Sequence, residues 1–314
     1  MIRVEGLTKY YGERAAIADL NFSIERGEVI GFLGLNGAGK TTTLRVLGCV
    51  LLPTSGRVEI DGIDIEQDAH EIRRRTGFLP DTPPLYPEMT VGGYLSFVAA
   101  LRGVSSKEVA SRVAEVEGQT ALSDKHDEVI GSLSHGYKQR VGVAQAIVHN
   151  PALLILDEPS SGLDPAQIVE MRKLIGELRG KHTILLSSHN LHEISETCDR
   201  LLVIQEGRII AQGREEELAQ LAGGNRVEIE LRPVASAPTA KIVAALRSVK
   251  DVGEVRVKSD DRHSVALEVA AAATLRPAIV RALISAGADV LRVDQAAGGG
   301  LESIFLQLTR EGKN

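Results

Sequence analysis

The sequence predicts an α/β fold in two parts. The larger is built on a parallel sheet, with an antiparallel β region at its start and a helical region inside it; the smaller is an α+β domain that follows. Three observations carry this reading. From Val29 onward, short apolar strands recur between a glycine loop, helices and turns, the pattern of a parallel sheet covered on both faces. The chain has 314 residues, beyond the size at which one hydrophobic core usually stops growing. A charged stretch ending in glycines, Gly213–Asn225, separates two regions of strand and helix.

Residues 1–30 alternate apolar and polar side chains in short runs ("IRVEGL", "ADLNFSIERGEVI"), the period of half-buried strands. "GRVEIDG", Gly56–Gly62, is another such strand bounded by glycines. From Val29 to Leu51 the order is strand, glycine loop, helix. Residues 83–150 read as mostly helical, with Thr90 as the N-cap of the stretch "VGGYLSFVAALRG". After Pro151 the order is strand "ALLIL", helix Pro165–Arg179, strand "HTILLS", helix Leu191–Cys198 and strand "RLLVI".

We divide the chain into a domain over residues 1–222 and a second over 225–314. The second runs strand "RVEIEL", helix Thr239–Val249, strand "VGEVRVK", a polar turn at Ser259–Arg262, strand "SVALEV", helix Leu275–Ala286 and strand "DVLRV". That βαββαβ order fits a ferredoxin-like sandwich. A last helix, Leu301–Thr309, carries apolar residues at helical spacing.

Composition narrows the function. With 43% hydrophobic and 25% charged residues the chain is an ordinary globular one. A net charge of −6 and 3% aromatics without Trp argue against a nucleic-acid partner. No apolar run approaches the roughly 18–20 residues of a membrane span, and the N-terminus lacks a signal-peptide pattern. Cys49 and Cys198 read as small buried apolar side chains. The expectation is a cytosolic protein whose membrane role, if any, comes through a partner.

"GEVIGFLGLNGAGKTTTLRVL" contains Gly34-x4-Gly39-Lys40-Thr41 between an apolar strand and a helix, the context a phosphate loop requires. Gly34, Gly37 and Gly39 let backbone N–H groups turn inward around phosphates. Lys40 adds a point charge for the β and γ phosphates. Thr41 offers a hydroxyl to Mg²⁺, and the helix start adds its dipole. "ALLILDEPSSGLDP" ends an apolar strand in Asp157, at the carboxyl edge where open parallel sheets bind ligands. Asp157 suits Mg²⁺ held through water, and Glu158, turned the other way, suits a base or an orienter for the attacking water.

Three further positions have two readings each. Asp164 precedes Pro165 as a helix N-cap, and a functional role is compatible with that. His189 follows the strand "TILLS" and precedes Asn190, an N-cap whose capping box Glu193 would close. Its place in the row with Lys40 and Asp157 makes it a γ-phosphate candidate. Ser134 in "LSHGYKQR" is either a phosphate ligand or a plain helix N-cap.

Together these residues resemble the ATP-binding subunit of an ABC transporter. The likeness covers residues 1–222 and rests on five motifs in the family's order: "GLNGAGKTT", "LSHGYKQR", "LLILDEP", "SGLD" and "SSHN". The resemblance implies a P-loop NTPase core of the ABC ATPase kind, with ATP and Mg²⁺ as cofactors. It also implies two ATPs held between two head-to-tail subunits, which power a separate membrane permease from the cytoplasmic side. By position, ATP falls to Tyr11, Gly34, Asn36, Gly37, Ala38, Gly39, Lys40, Thr41 and Thr42. Ser134 and Gly136 would reach the γ-phosphate of the other subunit's ATP, with Asp164 at the dimer seam. Glu158 and His189 would be catalytic, and Thr41, Asp157 and Asp81 would serve the metal. Tyr10 is the alternative to Tyr11 for stacking adenine.

Two stretches depart from the family pattern. Asp81 stands in "GFLPDTPPLYPEMTV" where the family has Gln, which puts direct metal contact in doubt but not a role in coupling. In "LSHGY", His135 and Tyr137 replace a usual glycine and glutamine, leaving Ser134 and Gly136 as the phosphate-facing positions. "LPDTPPLYPEMTV", Tyr137 and the C-terminal extension look most like bacterial exporter ATPases for drugs, sodium, gliding-motility factors or respiratory-enzyme maturation. The second domain shows no site-like polar cluster, which favours a packing or dimer-stabilising role over a ligand sensor. A soluble ABC ATPase acting on ribosomes or DNA is the different-class alternative. It fits poorly with a single cassette, an acidic balance and no sustained heptads.

Overall fold

Buried and exposed positions alternate through much of the first two strands, β1 (Ile2–Tyr11) and β2 (Arg14–Ile24). They pair antiparallel, and β1 also pairs with β4 (Ser55–Ile60), which pairs with the short β5 (Ile63–Asp64). The resulting four-stranded sheet has the order β2-β1-β4-β5. This is a computed structural model; it describes residues 1–215, 217–218, 226–234, 237–261 and 264–295. The expected helix Leu301–Thr309 and the expected division between residues 222 and 225 lie outside the described residues.

The second pattern is continuous burial. Every residue of β3 (Val29–Leu33) is buried, and it leads into α1 (Lys40–Leu47). The chain continues through α2 (Ala69–Arg75), β6 (Thr76–Leu79), α3 (Val91–Leu101), α4 (Val109–Gln119) and α5 (His135–Ile147). Thr90 caps α3 as expected, its Oγ1 accepting from the Gly93 N–H at 3.1 Å. Next come β7 (Leu153–Asp157), α6 (Pro165–Leu178), β8 (Thr183–Ser188), α7 (Leu191–Thr197), β9 (Arg200–Gln205) and β10 (Arg208–Gly213). β7 and β8 are buried at every position, as strands covered on both faces must be.

The sheet order is β10-β9-β3-β8-β7-β6, parallel except for β10. Alternate residues of β7 feed different cores: Leu154 and Leu156 pack with residues of α3 to α6, while Leu153 and Ile155 pack with the antiparallel sheet. The parallel sheet is thus the floor between two apolar layers, and its carboxyl ends carry the polar residues described below.

The chain divides into compact units at Arg214/Glu215. In the second, β11 (Arg226–Arg232), α8 (Thr239–Arg247), β12 (Val255–Asp260), β13 (Val265–Ala270), α9 (Arg276–Ser285) and β14 (Asp289–Gln295) follow in order. The sheet order is β12-β13-β11-β14 with every pair antiparallel, the ferredoxin-like arrangement predicted. Val227, Ile229 and Leu231 of β11 enter the core. On the alternate positions Lys258 Nζ lies 2.6 Å from Glu228 and 3.0 Å from Glu268, which also pairs with Arg226. The polar turn expected from Ser259 starts later, because the strand runs through Asp260. Asp261 then accepts from the Ser264 N–H at 2.9 Å.

One contact sets how closely α5 lies on the sheet. A Cβ added to Gly77 in β6 would stand 2.0 Å from the Ala146 carbonyl oxygen, and Gln145 Nε2 donates to the Phe78 carbonyl at 2.9 Å. Gly77→Ala must push the helix off the sheet. We expect a loss of about 1–3 kcal/mol in urea unfolding, and an unchanged midpoint would contradict the close packing.

Candidate active site

β3 ends at Leu33, and the chain needs six residues, Gly34 to Gly39, before α1 begins at Lys40. The glycines serve different needs. A Cβ on Gly34 would lie 2.5 Å from the Ile204 carbonyl oxygen, so close packing excludes a side chain there. Gly39 has φ 110°, and its Cβ would meet the Ala16 carbonyl at 2.7 Å. Lys40, 5% exposed, folds its ammonium back to donate to the Gly34 carbonyl at 2.7 Å, closing the loop into a ring. The same ammonium lies 3.5 Å from Glu158 Oε1.

Asp157 ends β7 directly opposite Ser187 of β8. Ser187 Oγ donates to Asp157 Oδ1 at 2.6 Å, and Thr41 Oγ1 donates to the same oxygen at 3.2 Å. Asp157 Oδ2 is buried with no hydrogen-bond partner. Burial pushes the Asp157 carboxyl above the usual carboxylate range; the Ser187 and Thr41 hydroxyls pull it back, while the charges of Glu158 and Asp81 add to the rise. An unpaired buried carboxylate oxygen beside a threonine hydroxyl is a donor set suited to a hard divalent cation. Among the described residues no group of three or more His, Cys, Asp or Glu is placed to hold a metal.

Glu158 sits at φ 51°, a left-handed conformation uncommon for a residue with a side chain. Its N–H donates to Ser187 Oγ at 2.9 Å. Its carboxylate places Oε1 toward Lys40 and Oε2 2.6 Å from His189 Nδ1. A carboxylate only accepts, so His189 Nδ1 carries the proton.

Lys40, Thr41, Glu158 and His189 line one open cleft of about 620 Å³, which also takes in Tyr11, Asn36, Gly37, Gly39, Thr42 and Asp81, while Asp157 and Ser187 are buried and do not line it. Gly34 and Ala38 lie beneath it, buried. Tyr11 lines the cleft and Tyr10 does not. Spacing had not pointed to Arg14, Ser161 or Ser187. Arg14 faces Tyr11 across the β1–β2 turn, and Ser187 follows from the register of β7 on β8, which no local pattern states.

Ser134, Gly136 and Asp164 are not brought into this cleft. Ser134 caps α5, accepting from the Tyr137 N–H at a long 3.5 Å. Asp164 caps α6, accepting from the Gln167 N–H at 2.9 Å. Gly136 is buried under Gln167, whose side chain would stand 2.7 Å from an added Cβ. His135 Nε2 donates to the Ser161 carbonyl at 2.9 Å. The capping box expected at α7 is half formed. The Glu193 N–H donates to Asn190 Oδ1 at 3.3 Å, but the Glu193 carboxylate accepts from Ser160 Oγ and Ser188 Oγ.

Comparison with known proteins agrees with this geometry. The ABC transporter family profile matches residues 17–161. Over 310 residues the chain is 34% identical to the bacitracin transport ATP-binding protein BcrA of Bacillus licheniformis, covering 98% of this chain and 97% of that one. It is 32% identical over 312 residues to the daunorubicin resistance ATP-binding protein DrrA3 of Streptomyces coeruleorubidus, covering 98% and 95%. A dimeric ATP-binding cassette solved in a post-hydrolysis state with ADP and Pi matches with TM-score 0.63 and 26% identity, over 68% of this chain and 98% of that one. Likeness along nearly the whole length, with the phosphate loop, Glu158 and His189 meeting in one cleft and Asp157 bonded to Thr41 of that loop's helix, means that the chain belongs to the ABC transporter family, as an ATP-binding and ATP-hydrolysing subunit.

Proposed function

We propose that the chain drives an exporter in which two copies close head to tail over two ATPs and pull on a separate membrane permease. The observation that carries this reading is the separation just described. Lys40, Glu158 and His189 face an open cleft, whereas Ser134 and Gly136 start a helix outside it. A second copy can bring that helix start, with its unpaired first-turn N–H groups, over the open side. Closure would also exclude water, which strengthens each charge interaction inside.

In the closed site Lys40 neutralises charge on the β and γ phosphates, and Tyr11 stacks on the adenine. Glu158 Oε1 takes a proton from the attacking water as its oxygen bonds to the γ-phosphorus and the bond to the ADP oxygen breaks. His189 holds Glu158 through Nδ1–H and presents Nε2 toward the γ-phosphate. Thr41 and the unpaired oxygen of Asp157, with Asp81 nearby, would hold a Mg²⁺, which when bound would add charge neutralisation on the phosphates.

Among the described residues no helix is long and apolar enough to cross a membrane; in this reading a partner supplies the spanning part and this subunit works at the inner face of the cell membrane. A surface suited to that partner surrounds the start of the helical region. Tyr86 packs against Tyr94 and Phe97 with ring centroids 5.9 Å apart, yet Tyr86, Phe97 and Leu101 are exposed. Arg102 Nη1 donates to the Arg73 carbonyl at 2.8 Å, and Arg73 to that of Cys49 at 3.3 Å. This brings the region of exposed Val50 and Leu52 alongside. The likeness to bacitracin and daunorubicin ATPases favours a drug-like cargo. The ferredoxin-like unit, with ion pairs across its sheet, serves packing or dimer stability.

Glu158→Gln should retain ATP binding, lose hydrolysis by about 10²- to 10⁴-fold and accumulate an ATP-bound dimer on size exclusion; rapid turnover would remove Glu158 as the base. Ser134→Arg should bind ATP normally yet stay monomeric with ATP, and a dimer as abundant as wild type would exclude the two-copy site. Leu101→Glu, a surface change costing no more than about 0.5 kcal/mol, should leave the ATPase activity of the isolated subunit intact while abolishing co-purification with the permease. Retained co-purification would move the docking surface elsewhere.

A further inference from the structure

Glu193 is a buried carboxylate, 3% exposed, that the hydrolytic scheme does not use. It lies on α7, four residues after His189. Its Oε1 accepts from the hydroxyl of Ser160, two residues after Glu158, and its Oε2 accepts from Ser188 Oγ at 2.9 Å, one residue before His189. Ser188 Oγ also accepts from the Asn190 N–H at 3.0 Å, so polar atoms on both sides of His189 are gathered on this arrangement. Thr197 Oγ1 donates to the Glu193 carbonyl at 2.7 Å and so braces the helix turn that carries it.

We propose that Glu193 is a positioning residue whose carboxylate clamps the Glu158 turn to the His189 loop and so sets the geometry of the hydrolytic pair. The direct link between those two residues, Glu158 Oε2 to His189 Nδ1, lies at the rim, with the His189 side chain 61% exposed. Water competes for such a bond, whereas hydroxyl donors to a buried carboxylate face little competition. Glu158 also occupies a left-handed backbone conformation, which persists only where the surroundings over-determine it. Ser187 holds that turn from its N–H side, and Glu193, through Ser160, holds it from the other. A helix anchor needs one such bond. Here each oxygen goes to a different catalytic loop.

The inference rests on the assignment of Glu158 and His189, so its test runs beside Glu158→Gln. The purified chain is assayed with Mg²⁺ and ATP for kcat and for equilibrium ATP affinity. Glu193→Ala should lower kcat by about 10- to 100-fold, the scale of an ångström of misplacement, and leave ATP affinity within about twofold. Glu193→Gln should recover kcat to within about threefold of wild type, because the amide can accept from one serine and donate to the other. A role confined to stability would lower the melting temperature of both variants without that split or that rescue. If Glu193→Ala does not fold, Ser160→Ala removes one arm of the clamp and should show the same kcat loss, smaller in size. Unchanged kcat in the folded variants, or Gln performing no better than Ala, overturns the clamp. If Glu158→Gln hydrolyses ATP at the wild-type rate, the assignment of the site fails instead.

Discussion

The Asp157 carboxylate, 1% exposed, sits at the carboxyl end of a strand buried at every residue, with one oxygen shared by two hydroxyls and the other unpaired. Burying such a group costs several kcal/mol unless its charge is answered. The two hydroxyls answer part of it, and they come from the two elements that matter most: Thr41 from the helix after the phosphate loop, Ser187 from the adjacent strand. The register of β7 on β8 therefore determines where the phosphate loop and the Glu158 turn meet. A one-residue slip would replace the polar pair with Leu156 and face the carboxylate into an apolar layer.

Several residues do two jobs, so their chemistry and their structural duties cannot be separated by position alone. Lys40 closes its own loop on the Gly34 carbonyl before any phosphate arrives. Asp164 and Ser134 cap helices, and Gly136 is small because Gln167 lies against it. Each of these structural reasons is sufficient to explain the residue type. What would distinguish the functional reading is use, by a second copy, of helix-start N–H groups that a side-chain cap does not satisfy.

Local chemistry was readable from the sequence, and tertiary pairing was not. The phosphate loop, the doubly buried strands, the Thr90 cap and the βαββαβ order all depend on neighbours within a few residues, and the structure has them. Ser187 escaped notice because its partner is 30 residues away and only strand register joins them. Only half of the capping box at Glu193 is formed, for a related reason. Three residues after Asn190 it satisfies the capping-box spacing, but Ser160, 33 residues distant, competes for its carboxylate and wins. The buried hydroxyls offer better-shielded bonds than a helix terminus in contact with water. Gly34 shows the same limit: the loop pattern supplies a phosphate-based reason for it, whereas the nearest obstruction is the Ile204 carbonyl of a strand far along the chain.

His135 closes the argument about the helix start. The imidazole occupies the place of a family glycine, and its Nε2–H is spent on the Ser161 carbonyl of its own chain. Ser161 lines the ATP cleft, and its N–H bonds back to the Glu158 carbonyl. The start of α5 is therefore tied, by two hydrogen bonds in series, to the turn that carries Glu158, which the proposed two-copy reading would make the base for another nucleotide. A shift of that turn must stretch one of these bonds or carry the imidazole with it. The residue that departs from the pattern thus joins the helix start to the Glu158 turn within the subunit, and under the proposed two-copy reading the phosphate contacts would fall to Ser134 and Gly136 beside it.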